Sequence, residues 1–158
     1  MLDRGTRQIP LYWNGPYLFD YDEMIDFENK LAKKEKTGVA NTSFREAGVY
    51  GITVEKTGLL TFLTLQAVYI PLYVGKSDNL GKRINSHLPD KTKNACLLSH
   101  YKGNEIQFWY ALAHPDDLDD IESQLIRHFR PRCNSHHPPE LPGYKVEITV
   151  PQLWERNS

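Results

Sequence analysis

No stretch of this chain is apolar for long enough to span a membrane, and Met1-Leu2-Asp3-Arg4-Gly5 lacks the apolar core of a signal peptide. A cytoplasmic protein with no membrane partner is therefore expected. Cysteine is scarce: Cys96 and Cys133 lie far apart without a C-x-x-C pattern, which argues against a disulfide framework or a cysteine zinc site and predicts two ordinary thiols. His128, Cys133, His136 and His137 cluster in sequence, but they lack paired zinc-ligand spacing, and Pro138-Pro139 reads as a solvated loop. Charge of one sign is missing too. The net charge of -1 gives no global signature of nucleic-acid binding. Internal repeats and low-complexity tracts are absent, so the elements are read one at a time. Gly75-Lys76-Ser77 resembles the end of a phosphate-binding P-loop, but the glycine required five residues earlier is replaced by Ile70, so a nucleotide triphosphatase is rejected.

What is present fits one domain. The 158 residues, 40% apolar and 25% charged, can bury a real core. Charge is uneven: from Pro71 to Tyr110, six cations face three anions, and Arg127, Arg130 and Arg132 follow the acids Asp116, Asp117, Asp119 and Asp120. One basic face is compatible with that distribution, although charge alone favours a mixed solvated surface.

Periodicity supplies the elements. Ile9 to Pro16 reads as an arm ending in an Asn-Gly-Pro turn, and Asp20 or Asp22 suits the cap of a helix to about Lys36. Gly48 to Val54 alternates as a strand; β-branched and aromatic residues from Thr61 to Ile70 predict another, with Pro71 ending or bending it before a third, Leu72-Tyr73-Val74. Ser77 or Asp78 suits the cap of a helix to Leu88, with Leu80, Ile84 and Leu88 inward and Arg83 and His87 in a parallel row. A short helix over Asn94 to Tyr101, a strand over Ile106 to Leu112, and a possible last strand over Lys145 to Val150 follow. The best-defined element starts at His114-Pro115 and stops before Pro131, with Leu118, Ile121, Leu125 and Phe129 inward and Glu122 among them.

Several side chains invite chemistry, each with a plainer alternative. A carboxylate at Glu122, on the edge of an apolar stripe, loses water and needs compensation; a metal ion would supply it, as would an arginine or contact with solvent. One carboxylate suits a water-rich Mg²⁺ completed by substrate phosphates rather than a caged two-metal site. Arg83 and His87, four apart, can face one phosphate, or line a solvated helix flank. Tyr50 and Tyr73 are core aromatics unless a cation such as Lys76 favours the phenolate. Asn134 fits a turn after Pro131-Arg132-Cys133 equally well.

Taken together and in order, these residues resemble the GIY-YIG nuclease superfamily. Gly48-Val49-Tyr50 is similar to its first triplet, Tyr73-Val74-Gly75 with Lys76 to its second, Arg83 and His87 to its helix residues, Glu122 to its metal-binding glutamate, and Asn134 to its late polar residue. The resemblance implies an α+β fold, a small central antiparallel sheet flanked by helices. It also implies a catalytic core over 48–134, with 1–47 as an N-terminal arm and helix and 135–158 as a C-terminal extension, in one compact domain. It further implies hydrolysis of double-stranded DNA with Mg²⁺, or another divalent cation such as Mn²⁺, held by Glu122. Tyr50, Tyr73, Lys76, Arg83, His87, Glu122 and Asn134 would form the catalytic set. The 22 residues between Tyr50 and Tyr73 are about twice the family's usual separation, resembling the sequence-specific type II restriction branch. Repair, mobile-element and toxin nucleases stay open, as do a homodimer and a catalytically inactive DNA- or protein-binding domain.

Overall fold

Residues 48–56 and 106–112 pair as the centre of the sheet. The computed structural model describes residues 6–18, 46–56, 67–136, 138 and 145–156. In chain order the elements are β1 (Thr6–Ile9), β2 (Trp13–Leu18), β3 (Gly48–Lys56), β4 (Val68–Ser77), α1 (Leu80–Asn85), α2 (Ala95–Tyr101), β5 (Ile106–Leu112), a 3-10 turn (Pro115–Asp117) running into α3 (Leu118–Phe129), and β6 (Lys145–Ile148). Four strands form one antiparallel sheet in the order β2-β5-β3-β4, and β1 pairs in parallel with β6 apart from it. The fold is α+β.

Alternation splits the sheet into two faces. On one, Val49, Val74, Trp109 and Ala111 pack against Leu118, Ile121, Leu125 and Phe129 of α3. On the other, Tyr50, Ile52, Phe108 and Tyr110 pack against Leu80, Ile84, Leu88 and Leu97. Two glycines of the triplets are required by close approach. A Cβ on Gly48 would stand 2.3 Å from the Ala111 carbonyl oxygen, and one on Gly75 would stand 2.4 Å from the Tyr50 hydroxyl. The latter contact places the Tyr50 side chain across its own strand partner, Gly75.

β4 lies at the edge of the sheet, where open backbone groups need partners. The tail covers one part: Tyr69 N–H donates to the Leu153 carbonyl, and Glu155 N–H donates to that of Tyr69. The loop after α3 covers the next. Cys133 N–H donates to the Leu72 carbonyl, and the Asn134 side chain accepts from Val74 N–H at 2.9 Å and donates to its carbonyl at 2.8 Å. Tyr73 is thus strapped on both sides.

Four expectations are corrected. Pro71 does not separate two strands: β4 runs through it with an irregularity there, since a register shift after Ile52 leaves Leu72 unpaired while Thr53 opposes Pro71. The Asn14-Gly15-Pro16 stretch is no terminal turn; it sits inside β2, at the irregularity between Asn14 and Tyr17. Asn79, rather than Ser77 or Asp78, caps α1, accepting from Lys82 N–H, and the helix stops at Asn85 while turns carry His87 and Leu88 inward. Finally, Cys96 and Cys133 are joined in a disulfide rather than left as thiols: their Cα atoms lie 5.3 Å apart although 37 residues separate them in sequence. The helix expected from Asp20 or Asp22 to Lys36, and most of the strand expected over Thr61 to Ile70, lie outside the described residues. Among the described residues, no helix is long and apolar enough to cross a membrane.

Candidate active site

The site gathers at the C-terminal end of β4, where the two faces of the sheet meet. β3 delivers Tyr50, fully buried at 0% exposure, and β4 delivers Tyr73, which is only partly buried. Their rings stack with centroids 6.1 Å apart, and the His87 ring lies 4.8 Å from that of Tyr73. The Tyr50 hydroxyl lies 2.8 Å from His87 Nε2 and accepts from Arg83 Nε–H at 3.3 Å. Tyr101 in α2 fixes the turn behind this group, its hydroxyl donating to the His87 carbonyl at 2.5 Å.

Burial decides the protonation of this cluster. It raises the Tyr50 hydroxyl far above its usual range, with Tyr73 adding to the rise and Arg83 opposing it, so Tyr50 keeps its proton. Burial also lowers His87, with help from the Arg83 charge, to about 4. At neutral pH His87 is therefore an uncharged imidazole able to accept a proton from Tyr50. Lys76 does not serve Tyr50, contrary to expectation. Its ammonium is paired with Asp119 on the α3 face, while Tyr50 points to the opposite face; the cation beside Tyr50 is Arg83.

Glu122 comes from α3. Its carboxyl is raised by burial, against the lowering effects of the Lys76, Arg83 and His136 charges and of a hydrogen bond from Lys76 N–H. A half-buried, desolvated carboxylate ringed by donors fits a divalent cation that restores the lost solvation. Among the described residues no other two metal-ligating side chains converge with Glu122, so the donor set matches one water-rich ion. Asn134 is placed differently from a substrate-facing group: it straps the β4 backbone.

An open pocket of about 430 Å³ fronts this cluster, lined by Tyr73, Arg83, His87, Lys91, Lys93 and Asn94. Lys91, Lys93 and Asn94 were not singled out from the sequence; the excess of cations between Pro71 and Tyr110 was the available signal, without an indication of which ones gather. Neither lysine forms an ion pair among the described residues. A larger cavity of about 750 Å³, lined by Arg127, Arg130, Arg132 and Arg156, shares none of these residues.

Tyr73, Arg83 and His87 line one pocket with Tyr50 buried behind them, and residues 64–135 match the family model of the GIY-YIG catalytic domain. The matched segment takes in Tyr73, Arg83, His87, Glu122 and Asn134 and begins after the Gly48-Val49-Tyr50 triplet. Among solved structures, the GIY-YIG N-terminal endonuclease domain of UvrC from Thermotoga maritima is similar. Its Tyr-to-Phe point mutant bound to the catalytic divalent cation is 22% identical with a TM-score of 0.38, over 58% of this chain and 86% of that one. The same domain bound to magnesium is 23% identical with a TM-score of 0.38, over 57% and 84%. No curated protein matches.

Proposed function

We propose that this chain is a divalent-metal-dependent endonuclease of the GIY-YIG family that hydrolyses phosphodiester bonds of double-stranded DNA. The observation that carries the reading is the buried Tyr50–His87 pair, met by the exposed Arg83 at a cationic pocket, with Glu122 within reach of the Arg83 charge. Arg83, Lys91 and Lys93 supply positive charge where a phosphate would sit. The arginine-lined cavity at the end of α3 offers a second surface of the same sign.

In the proposed reaction, a water oxygen attacks phosphorus and the bond to the 3′ oxygen breaks. Tyr73, partly exposed at the pocket, orients the water or the phosphate. The water proton passes to the Tyr50 oxygen as the Tyr50 proton moves to His87 Nε2, and the leaving oxygen takes a proton from solvent. Arg83 stabilises charge on the phosphoryl oxygens. Asn134 holds the strand that presents Tyr73, and Lys76 shapes the field around Glu122 through its pairing with Asp119. When bound by Glu122, Mg²⁺ or Mn²⁺ would neutralise charge at the phosphate and the leaving oxygen.

The wide triplet separation favours a sequence-specific, type II restriction-like enzyme over a repair, mobile-element or toxin nuclease. Incubating the purified chain with a long defined DNA, with and without Mg²⁺, tests both levels. Discrete fragments that depend on Mg²⁺ are expected. A mobility shift without any cleavage would make the chain a binding domain, and broad degradation would remove the restriction reading alone. Near-normal turnover by Tyr50→Phe would exclude the relay through its hydroxyl.

A further inference from the structure

Away from Glu122, the fold assembles a second set of metal-ligating groups. The sulfurs of Cys96 and Cys133 and a ring nitrogen of His100 lie within 4.8 Å of one another. Cys96 and His100 stand four apart on α2, so both side chains leave the same side of the helix. Cys133 reaches them from the loop that straps β4. That loop is held to α2 a second time, by Asn94 Nδ2–H donating to the Cys133 carbonyl at 3.1 Å. A tetrahedral zinc ion, from its bond lengths to sulfur and nitrogen, keeps ligand atoms roughly 3.5–3.8 Å apart, a spacing this group reaches once the sulfurs separate.

We propose that Cys96, His100 and Cys133 form a binding site for one thiophilic divalent ion of the Zn²⁺ class, available when the Cys96–Cys133 disulfide is reduced. A dithiol or phosphine reductant supplies two electrons, and two protons complete the thiols. Metal binding then releases both thiol protons to solvent, neutral His100 contributes a lone pair, and water takes the fourth position. Disulfide and metal exclude each other, so the oxidation state decides which of them ties α2 to the loop. Either tie holds the backbone on both sides of Tyr73, through Cys133 N–H on Leu72 and the Asn134 side chain on Val74. Thiolate and imidazole ligands select against Mg²⁺, which keeps this site chemically separate from Glu122. The inference does not depend on nuclease activity.

Cobalt substitution tests it. The full chain is reduced with a phosphine in metal-free buffer and titrated with Co²⁺, then with Zn²⁺. One ion per chain is expected, with the thiolate-to-cobalt charge-transfer absorption and the visible bands of tetrahedral cobalt, lost on adding Zn²⁺ and unaffected by excess Mg²⁺. Oxidised protein and the double variant Cys96→Ser/Cys133→Ser should lack the thiolate band, and each single variant should weaken it. His100→Gln, at a partly exposed position whose folding is checked by circular dichroism, should weaken binding beyond the ~10–100-fold typical of losing an outer partner. Absence of the band in reduced wild-type protein, its displacement by Mg²⁺, or unchanged affinity in folded His100→Gln would overturn the proposal.

Discussion

The two faces of the sheet are packed to similar depth and differ in what they bury. On the α3 face one polar trio closes on itself: Trp109 Nε1–H donates to the Thr53 hydroxyl at 2.9 Å, and Thr53 donates to the Gln107 side-chain oxygen at 3.2 Å. On the α1 face, Tyr50 and His87 bond to one another and stop at an open pocket. That trio serves packing, whereas the second face holds a proton acceptor at the edge of a pocket. In the proposed reaction the second face draws on a charge from the first, since the Arg83 guanidinium is close enough to Glu122 to influence its carboxyl.

Substitutions on the two faces should therefore fail in different ways. Arg83→Ala and Glu122→Gln are expected to lower kcat by roughly 10²–10³-fold or more, judged from the loss of one transition-state donor, with folding intact by circular dichroism. Leu125→Ala, in the packed α3 face, should cost about 2–5 kcal/mol in denaturant unfolding while leaving kcat per folded molecule unchanged. A kcat loss in Leu125→Ala comparable to that in Arg83→Ala, with the protein fully folded, would erase the distinction.

His87 sharpens it through pH. Its folded value of about 4 lies below the ordinary 6.5, so the unfolded chain binds the proton more readily. The stability associated with neutral His87 is complete above about pH 6.5 and is lost as pH falls toward 4, by roughly 2–3 kcal/mol. His87→Gln should flatten that part of the stability curve. For the same reason the acid limb of kcat/KM should fall near pH 4 to 5; a limb at 6.5 would mean that His87 is not the proton acceptor.

Smaller effects test the packing around the site. Gly75→Ala sets a methyl group against the Tyr50 hydroxyl and should destabilise by about 1–3 kcal/mol, with the hydroxyl displaced from His87 and activity falling as well. Lys56→Ala removes an exposed pair with Glu155 and should cost no more than about 1 kcal/mol by thermal unfolding.

Local signals were legible where packing and propensity agreed. Ile106 to Leu112 is a strand with the expected bounds, and the inward row of α3 is buried as its spacing predicts. Leu80, Ile84 and Leu88 are likewise buried, even though the helix ends before Leu88. Relations across the chain were not legible. Lys76 is adjacent in sequence to the second triplet, yet strand alternation sends it to the opposite face from Tyr50. The cysteines become neighbours only after the loop following α3 docks on β4, and β2 has a glycine and a proline where a strand pattern would be sought. Asn134 was singled out, but its work is on the backbone, which a residue's identity does not reveal.

The pairing of β1 with β6 has a kinetic meaning. The two strands meet across 139 residues at the Gln8–Glu147 hydrogen bond, a closure that would cost about 4 kcal/mol in chain entropy if made first. Residues 48–134 can collapse before it and shorten the loop that remains. On that argument hydrogen exchange at Thr6–Ile9 and Lys145–Ile148 should be faster than at Tyr50, whose strand is paired on both sides.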